Sequence, residues 1–248
     1  MGDYNRGRRL ANNAVFQVSI LDALMQGVME GCMTTGELLS HGNFGIGTFE
    51  GLGGELLVLD GKAYCGEADG TVRPVGEDEL ISFAQVTFFD EYAPLHTMDA
   101  VDSVSDLKKA LGAWTVEDPN IIYAVKGRVE EAKVTVRSIE KQEEPYPSLA
   151  EAAKHQETHV YENVSGTLIG FQFPRFMDGV NMPSWHFHFL SDDRTMGGHV
   201  LNMEAPAVVL KVYPIYEHTV RLPESRAFAR LDIDQSEERK KALLKAEE

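Results

Sequence analysis

The chain has 248 residues, an apolar fraction of 43% that is ordinary for a globular protein, and a formal charge of -16 from 23 basic and 39 acidic side chains. That balance argues against binding a phosphate backbone or an anionic lipid surface, so an anionic ligand would need a local arginine. Cys32 and Cys65 are the only cysteines, too few for a disulfide framework. No apolar leader follows Arg6, Arg8 and Arg9, and no later run approaches about 18 apolar residues, so a soluble, cytoplasmic protein is expected.

Taken in chain order, residues 1–14 read as a polar N-terminal extension. Val15-Phe16-Gln17-Val18 predicts a short strand, and Ile20, Leu21, Leu24, Met25 and Val28 recur at helical spacing. Thr34 with Glu37 forms a capping box that opens a short helix through Leu39, closed near His41-Gly42. Strands are expected over Phe44–Phe49, Gly54–Leu59, Lys62–Cys65 and Ile81–Phe89, with turns at Gly51, Gly53, Asp60-Gly61 and Asp69-Gly70. A helix over Ser105–Leu111 and strands over Ile121–Val129 and Ala132–Ile139 follow. The charged, two-proline stretch Glu140–Pro147 then marks a domain boundary, with residues 15–145 before it and 146–231 after it.

Beyond that boundary a helix is expected over Leu149–His159. Gly166-Thr167-Leu168-Ile169-Gly170-Phe171 echoes Gly42-Asn43-Phe44-Gly45-Ile46-Gly47, and each echo leads into a further strand, Gly54-Glu55-Leu56-Leu57 in one half and Trp185-His186-Phe187-His188 in the other. The pattern predicts an α+β fold: two similar mixed or antiparallel sheet domains with flanking helices, arising by internal duplication. Glu55 then occupies nearly the place in the first half that the histidine strand holds in the second. Residues 232–248 form a charged tail that could lie in solution or fold over a cleft.

The strongest local signal is Trp185-His186-Phe187-His188-Phe189 followed, across a polar turn-forming stretch, by Gly198-His199. Strand side chains alternate faces, so His186 and His188 share one face and the three aromatics share the other. If the turn centres on Asp193-Arg194, the next strand folds back antiparallel and His188 lies opposite His199. A lone strand histidine is ordinarily a core residue with a satisfied hydrogen bond. Three converging imidazoles with an open position are a catalytic zinc arrangement, although iron, nickel and copper also accept imidazole.

Several separated motifs resemble the bacterial α-acetolactate decarboxylase family: Thr35-Gly36-Glu37-Leu38-Leu39, His41-Gly42, Phe44-Gly45-Ile46-Gly47-Thr48-Phe49, Gly54-Glu55, Lys141-Gln142-Glu143, Pro145-Tyr146 and the histidine segment, spread from about Val15 to Val220. The resemblance implies two similar α+β domains, a homodimer, and zinc on His186, His188 and His199. It also implies an active site containing Thr48, Glu55 and Arg137, and a tail glutamate, Glu247 or Glu248 with Glu247 favoured, brought to the metal cleft. The implied reaction takes 2-acetolactate to acetoin and carbon dioxide without pyridoxal phosphate or thiamine, because a β-keto acid supplies its own electron sink. On that reading Arg137 holds a carboxylate or the enediolate, Glu55 relays a proton and Thr48 orients. Two other readings stay open on the residues alone. Gly179, Asp192 and Asn202 around the histidines carry a rough likeness to a cupin-type non-haem metal dioxygenase, and a non-enzymatic binding domain with a structural metal would need the same ligands.

Overall fold

The computed structural model describes residues 13–233. The chain begins with β1 (Ala14–Val18), α1 (Leu21–Met25), β2 (Met33–Thr34) and α2 (Thr35–Leu39). It continues through β3 (Phe44–Phe49), β4 (Glu55–Leu59), β5 (Lys62–Gly66), β6 (Val72–Pro74), β7 (Leu80–Thr87) and β8 (Leu95–Val101). Then come α3 (Val104–Trp114), β9 (Ile122–Ser138), α4 (Leu149–Ala152), β10 (Glu157–Gln172), β11 (Trp185–Ser191), β12 (Gly197–Ile215), β13 (Glu217–Arg221) and α5 (Arg226–Ala229). The fold is α+β, mostly strands, in two sheets. Among the described residues no helix is long and apolar enough to cross a membrane.

The first sheet runs β13-β1-β7-β3-β4-β5-β6, with β2 also on β7. Its central strands β3 and β4 are buried along their whole length, which suits their unbroken apolar and glycine sequences. The second sheet runs β11-β10-β9-β12-β8, and β11 pairs with β12 as well, so β9 to β12 close into a ring. Inside that ring lie Val125, Val129, Leu168, Trp185, Phe187, Phe189 and Leu210. Between the sheets Phe44, Ile46 and Leu57 of the first meet Ile169, Phe171 and Tyr213 of the second, with Phe44 and Phe171 ring centroids 5.9 Å apart. Full burial of each such side chain contributes about 1.5–3 kcal/mol, so the two sheets share one core.

Local chemistry explains the short helices. The Thr34 hydroxyl accepts from the Glu37 amide at 3.2 Å, as the capping box requires, and Ser103 caps α3 in the same way through Asp106. Leu107 and Leu111, four residues apart, are the buried face of α3.

Three expectations change. The helix expected over Leu149–His159 is helical only to Ala152, with one tighter turn through His155. Glu157 already starts β10, where β-branched Thr158 and Val160 pair with Arg137 and Thr135 of β9. The two strands expected at Ile121–Val129 and Ala132–Ile139 are one, β9, which passes through Glu131 at φ 50 where its ladder to β10 shifts register. The sheets also divide the chain elsewhere than at the expected boundary: β8 and β9 precede residue 145 yet belong to the second sheet, and β13 follows it yet pairs with β1 in the first. The echo between halves extends to one hairpin, β3-β4 in one and β10-β11 in the other. On the far side of β3 lies a later strand, β7, whereas on the far side of β10 lies an earlier one, β9.

Candidate metal centre and active-site cleft

The histidines are placed by strand alternation and one turn. Trp185, Phe187 and Phe189 fill the interior of the ring, which leaves His186 and His188 on the opposite face of β11. In the following turn Arg194 takes φ 61, and the Asp193 carboxylate accepts from Ser191 Oγ at 2.6 Å and Thr195 N at 3.1 Å. This sets β12 so that His188 pairs in register with His199. One ligand atom from each of His186, His188 and His199 lies within 4.8 Å of the others.

The donor chemistry fits a soft-to-borderline cation. His188 Nδ1 lies 2.9 Å from the Leu56 carbonyl, which can only accept, so the proton sits on Nδ1 and Nε2 carries a lone pair. That Nε2 is buried, makes no hydrogen bond, and lies 3.4 Å from Glu55 Oε2. His186 Nε2 and His199 Nδ1 are 2.8 Å apart, a distance at which one neutral ring donates its N–H to the lone pair of the other. Burial pushes His188 down to about 3, with the Arg137 guanidinium adding to the effect against the Leu56 hydrogen bond. Burial likewise holds His186 and His199 well below the usual imidazole range, helped by Arg137 and by the neighbouring rings. All three are therefore neutral near pH 7, the form that binds a metal.

Groups from both sheets complete the polar side. Arg137 of β9 is the register partner of His199, and its Nη1 lies 3.5 Å from Glu55 Oε1. Glu55 of β4 pairs in register with Thr48 of β3. Thr48 Oγ1 donates to the Gly54 carbonyl at 2.8 Å, so only its lone pairs are left for a ligand, which suits orientation rather than reaction. Glu55, Arg137 and Thr48 are only 8%, 6% and 8% exposed. The first sheet reaches the histidines because β5 comes against β12 at Gly66, where a Cβ would sit 3.0 Å from the Gly197 carbonyl oxygen. A side chain there would press on the Gly197 backbone, which would have to give by a few tenths of an ångström.

The structure thus brings together all the sequence-nominated residues that lie within 13–233: Thr48, Glu55, Arg137, His186, His188 and His199. Glu247 and Glu248 lie outside the described residues. Sequence reasoning missed the opposite wall of the cleft, made by Leu21, Leu24, Phe83, Ile139, Leu149, Asn181 and Met182. Leu21 and Leu24 carried a helical spacing that reads equally well as core. Asn181 and Met182 sit in an irregular segment with no periodic signal. Of the remaining histidines, His41 stacks on Phe16 at 3.8 Å, His96 stacks on Trp114 at 4.4 Å, His159 bonds the Ala68 carbonyl at 2.8 Å, and His155 is exposed. The residues that gave the cupin likeness are engaged elsewhere, Asp192 with Arg128 at 2.5 and 2.7 Å and Asn202 with the Val104 amide at 3.1 Å.

Comparison with known proteins bears directly on this site. Residues 15–235 match the alpha-acetolactate decarboxylase family. The alpha-acetolactate decarboxylase of Methanosarcina mazei is 39% identical over 228 residues, covering 91% of this chain and 78% of that protein. That of Bacillus subtilis is 33% identical over 220 residues, covering 89% and 86%. The crystal structure of the Bacillus subtilis enzyme superposes with a TM-score of 0.89 at 32% identity, covering 94% of this chain and 99% of that one. A match of this length, over a cleft built from both sheets, means that the chain belongs to the α-acetolactate decarboxylase family and is a carboxy-lyase.

Proposed function

We propose that the cleft converts 2-acetolactate to acetoin and carbon dioxide, with a zinc ion held by His186, His188 and His199. The observation that carries the metal is the buried lone pair on His188 Nε2, which makes no hydrogen bond and belongs to a set of three neutral imidazoles. Zinc would supply a Lewis acid for the substrate's oxygen atoms and a positive charge where negative charge develops. On the same family reading the enzyme works in the cytoplasm as a homodimer, and Glu247 of the tail joins the cleft.

The chain's own residues account for the rest. When the bond to the carboxylate breaks, its electron pair moves into the bond towards the ketone carbon and comes to rest on the ketone oxygen. A proton must then return to the carbinol carbon, so each turnover consumes one. Arg137 is the one guanidinium facing this space among the described residues, and its charge binds the carboxylate before departure and steadies the enediolate after it. Glu55, within reach of both Arg137 and His188, is placed to carry the returning proton. Thr48 offers lone pairs that fix a hydroxyl. The leucines, Phe83 and Met182 opposite keep water from the carbanion centre.

The test is metal analysis of the purified protein together with acetoin and carbon dioxide release from racemic acetolactate. About one zinc per chain and acetoin formation that disappears on metal removal are expected. Undiminished release by metal-free protein would overturn the proposal.

A further inference from the structure

The cleft has two unlike walls. One carries the histidines, Glu55, Arg137 and Thr48; the other is apolar, with Leu21 and Leu24 of α1, Phe83 of β7, Ile139 and Met182 packed on one another. Each of those five is 3% to 7% exposed, and all five line the cleft. Acetolactate presents a carboxylate, a hydroxyl, a ketone and two methyl groups. Once the oxygens face the polar wall, the methyls are left for the apolar one. We infer that Met182 is a specificity-determining residue that sets the length of alkyl chain the carbinol carbon can carry. The inference rests on the acetolactate reading above.

Three observations single out Met182. Its backbone is pinned by a buried amide network: Met182 N donates to Asn181 Oδ1 at 2.7 Å, and Asn181 Nδ2 donates to Gln17 Oε1 at 2.8 Å and to Gln85 Oε1 at 3.3 Å. Gln17 and Gln85 are 0% exposed and Asn181 2%, so moving Asn181 would strip Gln17 Oε1, Gln85 Oε1 and the Met182 amide of a partner without water to replace it. The same segment anchors the rest of the wall. Val180 O accepts from Leu21 N and Gly179 O from Asp22 N, both at 3.0 Å, and the five-residue α1 is too short to hold its place alone. Finally, Leu21, Leu24 and Phe83 belong to regular elements and Ile139 directly follows β9, whereas Met182 stands in the irregular connection between β10 and β11. It is unbranched, so its length alone sets how far it reaches into the space.

The experiment uses the full-length, metal-loaded enzyme and measures kcat/KM for acetolactate and for homologues bearing ethyl or propyl in place of the carbinol methyl. Discrimination over one methylene in an apolar pocket runs about 10- to 200-fold. Met182→Ala is expected to raise the ethyl-to-methyl ratio about tenfold, and Met182→Phe to lower it about tenfold. Met182→Leu keeps the volume and so the fold, and its shorter reach should raise the ratio roughly threefold. A purely structural role would depress all substrates together. Ratios that stay within about twofold of wild type in all folded variants, while wild type releases carbon dioxide from acetolactate, overturn this inference alone. Absence of release by wild type overturns the functional reading and this inference with it.

Discussion

His188 joins the two sheets at the level of a single side chain. Its Nδ1 proton goes to the Leu56 carbonyl of β4, and its Nε2 is thereby committed to whatever cation the cleft holds. His188→Ala should therefore lose metal and activity together. Arg137→Lys should keep the metal, since no ligand changes, and lower kcat by about a hundredfold, because an ammonium replaces the planar fork at a point where charge develops. Metal content and kcat measured on both variants separate the roles; a His188→Ala protein that is metal-free and fully active would sink this assignment. The three histidines were legible in the sequence because strand alternation and one turn act over neighbouring residues. Glu55 and Arg137 were not legible from spacing. Arg137 meets His199 through the pairing of β9 with β12, and Glu55 meets His188 where β4 comes against β11 at Leu56, both contacts between residues far apart in the chain. The family resemblance nominated both, and the echo between the halves nominated Glu55; periodicity alone could nominate neither.

At the scale of elements, sequence reasoning recovered β1, β3, β4, β5, β7 and β11, whose apolar runs or alternation and flanking turn residues mark them locally, and split the charged β9 in two. It missed β8, whose Leu95-His96-Thr97-Met98-Asp99 is largely exposed and is fixed only by its pairing to β12. It missed the start of β10 for a related reason: Glu157 to Glu162 carries enough charge to resemble a helix end until β9 is present to pair with it. β13 is a similar case, held to β1 by a parallel ladder and by His218, whose Nε2 lies 3.0 Å from Gln17 Oε1. Burial pushes the His218 imidazole down to about 4 from 6.5. The native state thus refuses a proton that the unfolded chain accepts, so this contribution to stability is complete above about pH 6.5 and is lost progressively as pH falls towards 4. His218→Gln keeps a donor for Gln17 and removes the titration. Thermal midpoints at about pH 7 and pH 4.5 should show an acid-side loss roughly 3 °C smaller in the variant than in wild type. Equal losses in the two proteins would remove His218 from the account of acid stability.

For the molecule as a whole, the proposed metal site would make ion binding and folding one equilibrium. All three imidazoles sit on the second sheet, yet the carbonyl that orients His188 and the carboxylate beside it come from the first, and the core holding Phe44 against Phe171 is common to both. Unfolding either sheet disperses the ligands, so a bound ion stabilises the entire chain and unfolding should remain a single transition. A ligand present at a thousand times its dissociation constant adds about 4 kcal/mol. In a chain of this size each kcal/mol shifts the midpoint by about 2–4 °C, so stripping the proposed metal with a chelator should lower Tm by roughly 10 °C and leave one transition. The same chelator should leave the Tm of His188→Ala where it was, because that protein has no ion to lose. A wild-type midpoint that stays put after metal analysis has shown complete removal would mean that the histidines hold their arrangement without a cation. The closeness of His186 Nε2 to His199 Nδ1 would then be the sufficient reason for the cluster.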